Sequence, residues 1–227
     1  MAIGNGDLFY SLFAMHFPKN DLFQPWQIIT HMFMHGGASS TNFSITHILF
    51  NMFALWMFGT PVERYLGAKK FLFVYISAGL GAVALQVGYY YFQYLPMETQ
   101  AIGLGFPPEQ IAEVFKEGKI FTDIGPKFNQ IYYASMVGAS GCIMGIMVAF
   151  GMMNPEAKLM LIFLPIPIKA KYFIPGIIIL DLISGVTGQS FFSPSNTAYM
   201  AHVGGALTGF IIMYFWKKDQ FNKHRWN

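Results

Sequence analysis

Five stretches of the chain run almost free of charge for about the 20 residues that a helix needs to cross hydrocarbon: 44–62, 71–92, 133–153, 172–192 and 198–216. Only the fourth contains an acid, Asp181. Glycine, proline and β-branched residues recur inside these stretches. They do not weaken a helical assignment, because lipid forces every backbone group to find a partner within its own segment or on a neighbour. All five are predicted to be helices, giving an all-α, polytopic transmembrane bundle. The residues before Ser44 supply no sixth span: "LFYSLFAMHF" is too short, and "PWQIITHMFMH" is amphipathic and opens on Pro25. Residues 1–43 are therefore expected to form an outer-face loop with an interfacial, partly helical segment. The membrane domain is expected over 44–216 and a cytoplasmic tail over 217–227. No basic region precedes the weak apolar run from Leu8 to Phe17, so that run is not expected to be a signal peptide.

Composition agrees with this pattern. Hydrophobic residues make up 54% of the chain and charged residues 11%, the balance of an integral membrane protein. The basic residues set its orientation. Of the 14 Lys and Arg, ten fall after the first and third stretches and in the tail: Arg64, Lys69, Lys70, Lys158, Lys169, Lys171, Lys217, Lys218, Lys223 and Arg225. Those segments are expected in the cytoplasm. The long loop over 93–132 is then outside, with Lys116, Lys119 and Lys127 offset by Glu98, Glu109, Glu113, Glu117 and Asp123. The net charge of +3 is the bias such a topology produces, and no basic patch suggests nucleic acid. The single cysteine, Cys142, excludes an internal disulfide.

With that orientation the first, third and fifth stretches descend from the outer face, and each carries polar groups near its start. These are His47 and Asn51, Ser140, and His202. At about 1.5 Å per helical residue they share a layer on the order of 10 Å below the surface. Each has a structural explanation when taken alone. A serine in a membrane helix commonly bonds back to its own backbone, and glycines such as Gly138, Gly141, Gly145, Gly204, Gly205 and Gly209 commonly permit close helix contact. Ionisable side chains inside a span are functional candidates by default. Gly205 and Gly209, four apart, allow the helix of His202 to press against one bearing "GASG", which brings Ser140 to the imidazole. His47 and Asn51 are also four apart and share a helix face. Two donors on one face suit an oxyanion, as does the Ser140 N–H if a helix begins there.

In their order and spacing, "THMFMH", "HILFN", "VERYLG", "GASG" and "AHVGG" resemble the rhomboid intramembrane serine proteases, over a region from about Trp26 to Trp216. The resemblance implies a Ser–His dyad, with Ser140 as nucleophile and His202 as general base. It also implies an oxyanion site of His47, Asn51 and the Ser140 N–H, and a structural motif at the cytoplasmic turn that includes Glu63 and Arg64. No metal or other cofactor is implied. The implied substrates are single-span membrane proteins whose helix unwinds near the outer face, and the implied location is a bacterial inner membrane. The chain departs from the pattern at Met144, where rhomboids often place an aromatic against the histidine ring, and in "GGASSTNFS", which lengthens the stretch before the first span.

Other readings stay open on residues alone. A catalytically impaired rhomboid-like protein that binds membrane clients would share the architecture, although both Ser140 and His202 are retained. A metal site would use His31 and His35, four apart, with His47 nearby, but it lacks the glutamate beside the first histidine that a metalloprotease helix employs. A transporter would be expected to show an inverted repeat, and none is evident. Asp181, near the middle of an ascending span, is expected below the reactive layer, bonded to neighbouring helices or protonated, rather than as a third catalytic member. The six-span pattern of the family would place a further helix just before "DLFYSLF", so an upstream apolar segment of about 20 residues is expected.

Overall fold

The computed structural model describes residues 5–35, 45–161, 164–190 and 198–223. Most of them are helical, with two small antiparallel sheets, and the chain divides into two compact units: Met1–Phe43 with Val87–Val137, and Ser44–Gln86 with Gly138–Asn227.

The first unit contains α1 (Asn5–Phe13), β1 (Met15–His16), α2 (Gln27–Thr30) with a following 3-10 turn at His31–Phe33, α6 (Pro108–Lys116), α7 (Pro126–Tyr132) and β2 (Ser135–Met136). It also holds the C-terminal part of α5 (Ala68–Gly103). β1 and β2 pair antiparallel, Met15 opposite Met136 and His16 opposite Ser135. The segment over 93–132 is thus largely helical rather than a long loop. Its aromatic residues are the reason: Tyr94 and Ala101 of α5 join Phe17, Ile111, Phe115, Phe121, Phe128, Ile131 and Tyr132 in one core, with the rings of Phe115 and Tyr132 stacked at 4.0 Å. Gln27, fully buried, ties the N-terminal segments together. Its amide donates to the carbonyls of Ser11 and Leu22, and its Oε1 accepts the His16 N–H. A buried amide satisfied at both ends costs little and fixes a unique arrangement.

The second unit opens with one helical run in three parts: α3 (Ile45–Ala54), a π-helical turn over Leu55–Gly59, and α4 (Thr60–Leu66). Gly67, with φ of 80°, ends the run and α5 starts at once. The unit continues with α8 (Ser140–Met153), the hairpin of β3 (Lys158–Leu161) and β4 (Leu164–Lys169), α9 (Ala170–Thr187) and α10 (Tyr199–Lys223). Glu156, just before the hairpin, pairs with Lys169 and Lys171, and their hydrogen bonds hold its carboxyl down to about 2.

Two helices among the described residues, Ala68–Gly103 and Ala170–Thr187, are long and apolar enough to cross a membrane. The second stretch runs on to Gly103 and the fifth to Lys223, while two predicted boundaries move inward. The third apolar stretch becomes a helix only at Ser140, not at Tyr133, because residues 135–136 are extended and Gly138 adopts φ of 120°. The fourth ends at Thr187 rather than Phe192, closed by Gly188 in the left-handed region at φ of 73°, the common way for a helix to stop.

α8 and α10 approach at backbone contact. A Cβ on Gly209 would lie 2.5 Å from the Gly145 carbonyl oxygen, and one on Gly205 would lie 2.8 Å from the Gly141 carbonyl carbon. Two glycines four apart on each helix therefore form two successive levels of one seam, the small-residue packing that membrane helices use in place of hydrophobic attraction. α5 closes on α10 in the same way, with Gly204 against Leu85 and Gly81 against Thr208.

Candidate active site

Ser140 is the first residue of α8, and Gly138 makes the turn that delivers it. A φ of 120° is costly for any residue with a side chain, and a Cβ at 138 would also lie 3.0 Å from His47 Nε2 and 3.9 Å from Asn51 Nδ2. The glycine thus permits the turn and leaves room beside both side chains. Because the helix begins at Ser140, its N–H is one of the first-turn amides that lack an intrahelical acceptor. Asn51 is buried and donates one amide hydrogen to the His47 carbonyl at 2.9 Å, which fixes the plane of its side chain.

His202 stands in the first turn of α10, three residues before the seam glycine Gly205. Its Nε2 lies 2.9 Å from Ser140 Oγ and its Nδ1 lies 2.8 Å from Asp181 Oδ2, so both ring nitrogens are engaged. The glycine seam explains the first contact: with α8 and α10 in backbone contact at 141 and 205, the side chains one and three residues earlier are brought within hydrogen-bond reach. The second contact corrects the expectation for Asp181. Since α9 stops at Thr187, Asp181 is six residues from its end, about 9 Å along the axis, and this places it level with His202 rather than below.

Gln86 was not singled out from sequence. It is buried on α5, and its Oε1 accepts the Ala201 N–H at 3.1 Å, so it occupies a first-turn amide of α10 next to His202. An amide side chain within an otherwise apolar stretch was the available signal. Glu63 and Arg64 lie within α4 with exposed side chains, and Glu63 contributes its carbonyl to the Gly67 N–H at 2.7 Å. His31 is buried in the other unit, where its Nδ1–H donates to the Gln27 carbonyl at 2.8 Å. Burial pushes its imidazole below the ordinary value. His35 lies two residues past the 3-10 turn, half-buried. Among the described residues no group of three or more His, Cys, Asp or Glu is arranged to hold a metal.

The arrangement brings together a hydroxyl, an imidazole in contact with it and a carboxylate on the far side of that ring, while His47 and Asn51 stand at the glycine turn two residues before the hydroxyl. Such a set is suited to acyl transfer.

Comparison with known proteins bears on the same residues. The Rhomboid domain family matches residues 22–218. The chain is 29% identical over 173 residues to the human presenilin-associated rhomboid-like protein, mitochondrial, a match covering 76% of this chain and 35% of the relative. It is 26% identical over 196 residues to the rhomboid protease AarA of Providencia stuartii, covering 82% of this chain and 54% of that protein. A shorter match, 40% identical over 60 residues, reaches the rhomboid protease GluP of Bacillus subtilis (strain 168) and covers 26% of this chain and 10% of the relative. The chain therefore spans about a third of the length of the mitochondrial relatives. Since the family match runs from before α2 to the last turns of α10, and takes in the glycine seam and both of its polar side chains, the chain belongs to the rhomboid family of integral membrane proteins.

Proposed function

We propose that this protein is a serine-type endopeptidase that cleaves membrane proteins within or beside the bilayer. The observation that carries the reading is the 2.9 Å contact between His202 Nε2 and Ser140 Oγ. Ser140 Oγ attacks the scissile carbonyl as its proton passes to His202 Nε2. The carbonyl electron pair moves onto oxygen, where the Ser140 N–H, His47 Nε2 and Asn51 Nδ2 supply donors. Collapse breaks the C–N bond, the amine leaves with the proton from His202, and an acyl ester remains on Ser140. Water then attacks the ester with His202 again taking the proton, which frees a carboxylate and restores the hydroxyl.

The relatives named rhomboid proteases support this reading, as does the placement of Ser140 at a helix start behind a glycine turn. The substrates we infer are single-span membrane proteins whose helix opens near the outer face, since the reacting groups stand at the start of α8 and α10. The inferred location is a bacterial inner membrane with the C-terminus in the cytoplasm, on the asymmetry of Lys and Arg. The test is cleavage of a generic transmembrane substrate by the purified chain in liposomes, wild type beside Ser140→Ala. Cleavage by the wild type alone supports the proposal. Equal cleavage by both would overturn the role of Ser140, and none by either favours a client-binding protein without proteolysis.

A further inference from the structure

The geometry points to Asp181 as a positioning residue for this reaction: its carboxylate accepts the His202 Nδ1–H and so presents Nε2, unprotonated, to Ser140 Oγ. The inference rests on the protease reading above and adds to it a third participant that neither α8 nor α10 supplies.

The two contacts use opposite corners of one ring. An ionised carboxylate has only lone pairs to offer, so the nitrogen 2.8 Å from Asp181 Oδ2 must carry the hydrogen. A neutral imidazole with its hydrogen on Nδ1 has its lone pair on Nε2, the atom 2.9 Å from Ser140 Oγ. The carboxylate thus selects the tautomer that can act as a base. It also pins the ring plane, because rotation about the side chain would break both bonds at once.

Burial strengthens the case. Asp181 is 1% exposed, and a buried carboxylate is costly unless a partner compensates it. When Ser140 gives up its proton, that partner becomes an imidazolium, and the attraction rises at the step where charge develops. Stabilisation that is larger in the transition state than in the ground state accelerates the reaction.

The neighbouring side chains leave this role to Asp181. Ser184, buried on the same helix, turns its hydroxyl to the Leu180 carbonyl at 2.8 Å. One helical turn beyond Asp181, Gly185 receives the Met200 side chain: a Cβ there would lie 2.8 Å from Met200 Cε. Met200 is two residues before His202, so this close packing sets the distance between α9 and the start of α10.

The experiment uses the full chain in detergent, as wild type, Asp181→Asn and Ser140→Ala. It reads kcat and KM for a transmembrane substrate, covalent labelling of Ser140 by a fluorophosphonate, and the thermal midpoint. Asparagine keeps the volume but is able to donate toward Nδ1, which favours the wrong tautomer. Turnover by Asp181→Asn is expected to fall about 10²-fold or more, as loss of such a carboxylate does in soluble triads. KM and the midpoint are expected to stay close to wild type, and labelling is expected to slow in parallel with turnover. Turnover and labelling at the wild-type rate would overturn the inference and leave the protease reading intact. A wild type that neither cleaves nor takes the probe would defeat both. Should Asp181→Asn fail to fold, nitrogen NMR of histidine-labelled wild type decides instead: a His202 ring protonated on Nδ1 supports the inference, and one protonated on Nε2 overturns it.

Discussion

Gly205 sits so close to the Gly141 carbonyl that a methyl group at 205 would overlap it. The contact is backbone on backbone, and no flexible side-chain end is available to yield. Gly205→Ala is therefore expected to force α8 and α10 apart, at a cost of about 1–3 kcal/mol or more. The same displacement separates Ser140 from His202. The expected outcome is a lowered thermal midpoint in detergent together with loss of cleavage. Gly176, whose Cβ position is open, serves as a control: Gly176→Ala is expected to leave both unchanged.

Ser140→Ala and His202→Ala are each expected to abolish cleavage with little change in stability. In the proposed mechanism the two groups act in one proton transfer, so the double variant is expected to be scarcely slower than either single one. Residual rates measured for all three test this, and multiplicative losses would show two independent contributions in place of a dyad.

Asn51→Ala is expected to reduce kcat by about 10²-fold to 10³-fold, the usual loss for one oxyanion donor, with a smaller effect on KM. His47→Ala is expected to act in the same direction. Gly138→Ala couples both defects, since it strains the backbone at φ of 120° and presses on the His47 ring. A change confined to KM in Asn51→Ala would make that side chain a substrate-binding group.

Acid is expected to loosen the first unit. Burial lowers the imidazoles of His31 and His16 below the ordinary 6.5, so the unfolded chain takes up protons more readily than the folded one. The stability they contribute is fully present above about 6.5 and is lost as pH falls through and below that value. The thermal midpoint is expected to drop between pH 7.5 and pH 5.5. His31→Asn keeps a donor for the Gln27 carbonyl but does not titrate, and it is expected to reduce the drop. An equal drop in the variant would place the sensitivity elsewhere.

The polar residues of the candidate site could be found in the sequence because membrane segments make them conspicuous: Ser140, His202, His47 and Asn51 stand out against apolar runs, and the four-residue glycine spacings indicate which helices meet. Helix ends were not legible in the same way. Hydropathy does not register the left-handed turns at Gly138 and Gly188, yet the first makes Ser140 a helix start and the second raises Asp181 to the level of His202. The aromatic core of the first unit was hidden for a related reason. Tyr94, Phe115 and Phe128 read alike whether they face lipid or each other, and only their packing around α6 and α7 separates the two cases.

The π-helical turn over Leu55–Gly59 has a mechanical consequence. A residue added to a helix without lengthening its path advances everything beyond it by about 100° around the axis. His47 and Asn51 lie on one side of that insertion, Glu63 and Arg64 on the other, and Phe58 within it rests edge-on against Phe150 of α8 at 5.2 Å. The helix is therefore phased twice, once for each end. Excising one residue from the π turn while sparing Phe58 would restore a regular winding, and either His47 and Asn51 or Glu63 and Arg64 would then have to face the wrong way.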